Sequence, residues 1–174
     1  MNAPLPALRA EALAGHHDRA SFTCGVEALD RYLRQQASQD LRSGVAAVFV
    51  LTPGDGTIAG YYTLSASTIN LAEISPQLGK KLPRYPVVPT LLGRLAVHQS
   101  LRGRRIGEAL LFDAFKRAHL TVGNVASWAM IVDAKDESAQ RFYERYKFLP
   151  LLNQNSRLYL PMSEINALLT RMYK

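Results

Sequence analysis

The chain has 174 residues, 48% of them apolar and 20% charged, the make-up of one compact globular domain with a core of its own, and a second full domain is not expected. Lysine and arginine number 21 against 14 acidic residues, a formal charge of +7 that points to polyanionic partners such as nucleic acid or a phosphorylated cofactor. The single cysteine, Cys24, excludes an internal disulfide and a four-thiolate metal site, and no apolar run approaches the ~18 residues of a membrane helix.

The opening residues, MNAPLPALRA, lack the basic-then-apolar signature of a leader, so a reducing cytoplasm is the expected location, with no membrane partner. A first strand is predicted over Leu8–Leu13. Leu29, Tyr32, Leu33, Gln36 and Ala37 then recur at helical spacing between Val26 and Asp40, which fits two short helices. Cys24, with no histidine beside it in the sequence, reads as a small buried hydrophobe. His16 and His17 are adjacent and His98 and His119 stand apart, none at metal-ligand spacing, so no metal is expected.

VAAVFVL and TIAGYYTLSAS read as two strands of an antiparallel hairpin around TPGDG. The proline-rich, basic ISPQLGKKLPRYPVVP is predicted as a surface loop, and TLLGRLAV as a strand. Ile106, Leu110, Leu111, Ala114, Phe115, Ala118 and Val122 form a helical stripe. SWAMIVDA is another strand, and Asp136 is placed to cap a helix with Ala139, Phe142, Tyr143 and Tyr146 on one face. FLPLL, RLYLPM and a terminal helix from near Ser163 complete the chain. Two strand–helix–strand passages call for parallel pairing in the middle of the sheet and the hairpins for antiparallel edges. The expected fold is therefore α/β: a twisted, mixed, mostly antiparallel sheet with a central parallel pair and helices on both faces.

Between the TLLGRLAV strand and the helix after it lie Arg102, Gly103, Arg104, Arg105, Ile106 and Gly107. Backbone N–H groups at a helix start lack intrahelical partners, and the helix dipole adds partial positive charge there. Glycines allow close approach of an anion and arginines supply charge and hydrogen-bond forks, so the turn is a candidate pyrophosphate site.

This segment resembles the acetyl-CoA motif of the GCN5-related N-acetyltransferases, (Gln/Arg)-x-x-Gly-x-(Gly/Ala), and DAKDESAQRFYERYKF resembles the family's distal motif, Asn-x-x-Ala-x-x-Phe-Tyr-x-x-x-Gly-Phe. With FTCGVEALDRYL, GYYTLSAS and VPTLLGRLAV in the same order, the likeness extends along nearly the whole chain and is greatest to the acetyltransferase toxins of bacterial toxin–antitoxin modules. It departs at Arg105 and Lys147, where the family usually has glycine, and at Asp136, where asparagine is common. The resemblance implies a single acetyltransferase domain over residues 1–174, with acetyl-CoA as cofactor and an antitoxin of the ribbon-helix-helix class as partner; a homodimer is compatible with it.

By the same resemblance Leu95, Ala96 and Val97 serve the thioester and pantetheine through their backbone N–H groups. Arg102, Gly103, Arg104, Arg105, Ile106 and Gly107 hold the pyrophosphate, Asp136 and Phe142 contact the cofactor, and Tyr143 protonates the departing sulfur. A phenol near pKa ~10 is protonated at neutral pH and suits that duty. Spacing alone would make Tyr143 a core aromatic beside Phe142 and Tyr146. Glu73, Glu108, Asp133 and His98 are the candidate bases, none of them obvious. A lysine ammonium is less than about 0.1% neutral at pH 7 and an α-amine roughly 10%, so a chain without a clear base favours an α-amine acceptor. Aminoacyl-tRNA presents such an amine on a polyanion, with Lys80, Lys81, Arg84 and Arg94 as candidate phosphate contacts. The alternatives are an acetyltransferase acting on a small amine or a protein N-terminus, and a weakly active or non-catalytic binding member.

Overall fold

The computed structural model describes residues 3–80, 82, 88–152 and 154–173. The strands are β1 (Arg9–Ala12), β2 (Ala47–Thr52), β3 (Gly60–Ala66), β4 (Thr90–Val97), β5 (Ala129–Asp133), β6 (Leu149–Leu151) and β7 (Gln154–Pro161). The helices are α1 (Glu27–Gln35), α2 (Ala37–Ser43), α3 (Pro76–Gly79), α4 (Ile106–Thr121), α5 (Glu137–Glu144) and α6 (Met162–Met172). The strands hydrogen-bond in the order β1-β2-β3-β4-β5-β7-β6. The parallel pair is β4 with β5, from Thr90 opposite Met130 to Leu92 opposite Val132, and β4 runs on past that register to Val97.

Only one of the two expected strand–helix–strand passages makes a parallel neighbour. After α5 the chain enters β6 at the sheet edge, and the antiparallel β7 takes the place beside β5. The proline-rich stretch also differs from the expected loop. It contains α3, preceded by a 3-10 turn over Leu71–Glu73, with Pro76 at the first helical position, where its missing N–H costs nothing.

The chain packs as two compact units, residues up to Ser65 with Arg94–Ala114, and Ala66–Gly93 with Phe115 onward. In the first unit, neighbouring β3 residues show how the sheet is covered. Gly60 faces α4, since a Cβ there would stand 2.7 Å from Leu110 Cδ1, and Tyr62 donates from its hydroxyl to Asp113 of α4. Tyr61, one residue on, points to the other face and donates to the Leu29 carbonyl of α1 at 2.6 Å. Successive strand side chains alternate, so α1 and α4 lie on opposite faces, as expected. The α1 face buries Leu13, Phe22, Cys24, Tyr32, Leu33, Val48, Val50 and Ala96 in one cluster. Cys24 is thus the small buried hydrophobe its sequence setting suggested.

In the second unit β5 is fully buried from Ala129 to Val132, consistent with a central strand covered on both faces. Ile131, Tyr159, Leu151, Ile69 and Ile74 form one cluster, with Trp128 stacked on Tyr159. Phe148 bridges Phe115 and Tyr143, with ring centroids 6.0 and 5.4 Å away.

Candidate active site

In the first unit the end of β4 leads through a 3-10 turn (Gln99–Leu101) into Arg102–Arg105 and then α4, so the residues expected to serve thioester and pyrophosphate are contiguous. Gly103 has φ 76° and Arg105 φ 60°, both left-handed, and nothing lies within 4 Å of where a Gly103 Cβ would be. Arg105 therefore adopts the backbone that the family's glycine would supply, and its side chain is exposed. The first bond of α4 runs from the Ala109 N–H to the Arg105 carbonyl at 3.1 Å, so the first-turn N–H groups point out of the helix end. A turn alternating between left-handed and other conformations makes a concave set of N–H donors, and these residues fit a pyrophosphate. Gly107 lies half-buried in that first turn and Ile106 is buried beneath it.

The arginines are less uniform than their sequence suggests. Arg102 does not point a free fork at the cofactor; its Nη2 donates to the Cys24 carbonyl at 2.5 Å. Gly25, at φ 86°, makes that possible, because a Cβ there would lie 2.5 Å from Arg102 Nη2. Cys24 and Thr23 are held in turn by buried Asp30 of α1, which accepts from the Cys24 N–H at 2.8 Å and from the Thr23 hydroxyl at 3.1 Å. Burial pushes the Asp30 carboxyl up, but these donors and the Arg34 charge outweigh it and hold the group below its ordinary range. Arg104 donates to the Ala3 carbonyl. The segment FTCGVEALDRYL carries Cys24, Gly25 and Asp30, but its spacing gave no sign that it meets Arg102.

Ala96 of β4 belongs to the α1-face cluster, so Leu95 and Val97 point to the α4 face and Arg94 to the α1 face. The Arg94 guanidinium lies 3.6 Å from the centre of the Tyr32 ring. His98, just beyond β4, has both ring nitrogens engaged: Nδ1 accepts from the Ser100 N–H and Nε2 stands 3.4 Å from the Ser21 carbonyl. That makes it a turn cap rather than a poised base.

In the second unit Asp136 accepts from the Ala139 N–H at 2.8 Å, the predicted cap of α5. Phe142 and Tyr143 follow on α5 with ring centroids 5.2 Å apart, while Tyr146 lies just past the helix end. Tyr143 is buried, and burial pushes its phenol well above the ordinary value. Lys147, the other departure from the motif, has φ 72°, and the Phe148 N–H returns to the Tyr143 carbonyl. The glycine conformation is again kept without the glycine. Of the candidate bases, Asp133 is taken up by Arg157, which donates from Nε and Nη2 to its two oxygens. The Glu73 carbonyl accepts from the Leu152 N–H, and Glu108 is half-buried in the first turn of α4. Lys80 is exposed just after α3, and Lys81 and Arg84 lie outside the described residues.

Sequence spacing also gave no hint of Glu11 gathering His16 and His17, with ligating atoms all within 4.8 Å. His17 Nδ1 accepts from the Ala14 N–H at 2.9 Å, so the neutral ring carries its proton on Nε2, which faces Glu11 Oε1 at 2.7 Å. That tautomer makes a histidine–carboxylate hydrogen bond; a metal on Nε2 would need the opposite one.

The Acetyltransferase (GNAT) domain family matches residues 46–149. A "tRNA-acetylating toxin" of Mycobacterium tuberculosis is 32% identical over 87% of this chain and 90% of its own length. Among solved structures, AtaT complexed with acetyl-methionyl-tRNAfMet superposes with a TM-score of 0.87 at 28% identity, covering 94% of this chain and 99% of that one. A tyrosine-to-phenylalanine mutant of AtaT, bound to the C-terminus of the antitoxin AtaR and acetyl-CoA, gives a TM-score of 0.80 at 26% identity, covering 94% and 99%. The sheet order, the glycine-and-arginine turn ahead of α4 and the family match over residues 46–149 lead to one conclusion: this chain belongs to the GNAT acetyltransferase family.

Proposed function

We propose that the chain is a cytoplasmic, acetyl-CoA-dependent N-acetyltransferase, one catalytic domain over residues 1–174, that acetylates the α-amine of aminoacyl-tRNA and so blocks translation as the toxin of a toxin–antitoxin pair. The observation that carries this reading is the similarity to the tRNA-acetylating toxin along 87% of the chain, joined by the fold it shares with AtaT bound to acetylated tRNA. AtaT bound to a segment of AtaR supports an antitoxin as partner, for which we propose the ribbon-helix-helix class.

Acetyl-CoA, when bound, supplies an activated thioester. In the proposed chemistry the turn from Arg102 to Gly107 binds its pyrophosphate through backbone N–H groups and the exposed Arg105 fork. The N–H groups of Leu95–Val97 orient the thioester and donate hydrogen bonds to the negative charge that develops on its oxygen. Asp136 fixes the start of α5, and Phe142 packs against the cofactor. Tyr143 keeps its proton for the departing sulfur, a duty suited to a phenol that burial keeps protonated far into the alkaline range. Asp133 is paired with Arg157 and His98 caps the turn after β4, which accords with an α-amine acceptor that is partly neutral without help.

The test uses labelled acetyl-CoA with a total pool of charged tRNA, the same pool after deacylation, and a panel of small amines. Label on charged tRNA alone is the expected result. Label on small amines but not on charged tRNA would indicate a general acetyltransferase, and no transfer to any amine a binding protein.

A further inference from the structure

Arg94 differs from Arg102 and Arg104 in what holds it, and from the exposed Arg105 in being half-buried. Arg102 and Arg104 spend their Nη2 donors on backbone carbonyls, whereas no hydrogen-bond acceptor or carboxylate partner of Arg94 is found among the described residues. The side chain is half-buried, so it is held in place without being neutralised. What holds it is the face of Tyr32, 3.6 Å from the guanidinium carbon.

That platform is itself fixed. The Tyr32 hydroxyl donates to buried Asp40 at 2.9 Å, and its ring stacks on Tyr61, whose hydroxyl is tied to the Leu29 carbonyl. Burial, and for Tyr32 also the Asp40 hydrogen bond, pushes both phenols up, and the Arg94 charge acts on each in the opposite sense. A guanidinium stacked on a fixed ring has lost most of its rotamer freedom before any ligand arrives, and its planar fork matches two oxygens of a phosphate. The residue that follows it on β4, Leu95, begins the run of N–H groups assigned to the thioester.

We propose that Arg94, preset on Tyr32, is the substrate-binding contact for a phosphodiester at the acceptor end of the charged tRNA, placing the α-amine beside β4. This rests on the function proposed above. It also separates Arg94 from Lys80, which is exposed after α3 and has no such platform among the described residues.

The experiment measures acetyl transfer by wild type, Arg94→Gln and Arg94→Lys to charged tRNA and to the methyl ester of the same amino acid, which carries the amine without any phosphate. Arg94→Gln is expected to raise KM for charged tRNA at least tenfold and to lower the preference for tRNA over ester by a similar factor. The slope of log KM against log salt should fall by about 0.7, the share of one single-strand phosphate contact. Arg94→Lys, which keeps the charge but not the fork, should retain the salt slope and lose part of the affinity. Equal losses on both substrates with an unchanged slope would make Arg94 a packing residue, and no loss on tRNA would remove it from the interface; either result overturns this inference alone. Wild-type protein inert on charged tRNA overturns the proposed function as well, and that is read before any variant is made.

Discussion

Arg105 and Lys147 are the two non-glycine residues with positive φ among the described residues, and each stands where the family usually has glycine. A side chain in that region costs about 1–2 kcal/mol, and a glycine replacement gives back about 0.5–1 kcal/mol through the entropy of the unfolded chain. Lys147→Gly should therefore stabilise the protein by about 0.5–1 kcal/mol, since its 3.8 Å ion pair with Glu164 joins half-exposed groups and contributes little. A higher urea midpoint at unchanged m-value would show it. Arg105→Gly should gain similar stability but weaken acetyl-CoA binding about two- to fivefold by removing one exposed phosphate partner, as calorimetry would read. Tyr143→Phe keeps the aromatic packing with Phe142 and Phe148 and removes only the hydroxyl, so turnover should fall by on the order of 10² while cofactor affinity is nearly unmoved. Equal turnover in the two proteins would take Tyr143 out of the chemistry.

At the scale of elements, the turn ahead of α4 is stitched to the segment ahead of α1. Gln99 N–H donates to the Thr23 carbonyl, Arg102 to the Cys24 carbonyl, and Asp30 ties Thr23 and Cys24 to α1. Gly25→Ala adds a Cβ in a left-handed residue and directs it at Arg102 Nη2, so it should cost about 1–3 kcal/mol and loosen the cofactor turn with it. Because Gly25→Ala and Arg102→Ala damage one contact, the double variant should be less destabilised than the sum, and strict additivity would mean the contact is not made in solution. None of this stitching could be read from the chain, since Gly25 and Arg102 share no local pattern and meet only through the fold. What was legible was local: the β4–turn–α4 passage, the Asp136 cap and the apolar stripe of α4 each follow from a spacing of a few residues. The place of β7 between β5 and β6 depends on which strand pairs across the sheet, and hydrophobic alternation does not encode that.

Across the whole molecule, the phenols couple stability to alkaline pH. Tyr32 is pushed up to about 12 by burial and by its hydrogen bond to Asp40, and burial raises Tyr61 and Tyr143 further. In the unfolded chain each would ionise near pH ~10. Below that pH both states hold the phenolic protons and the full stabilisation is present. Above it the unfolded chain releases protons that the native protein keeps, so stability declines by up to about 1.4 kcal/mol per pH unit for each such tyrosine, until pH passes the native value. The decline therefore begins near pH 10, where Tyr32, Tyr61 and Tyr143 act together, and a plot of urea midpoint against pH should bend downward there. In the folded protein the tyrosinate absorbance of these three should be missing at pH ~10.5 and appear together with unfolding. Tyr143→Phe removes one titrating group whose hydroxyl has no hydrogen bond among the described residues, so above pH ~10 its midpoint should fall less steeply than that of the wild type. If all eight tyrosines of the native chain titrate together near pH ~10 with the fold intact, Tyr143 is not as dry as its setting against Phe142 and Phe148 requires, and the case for it as the guarded proton donor is lost.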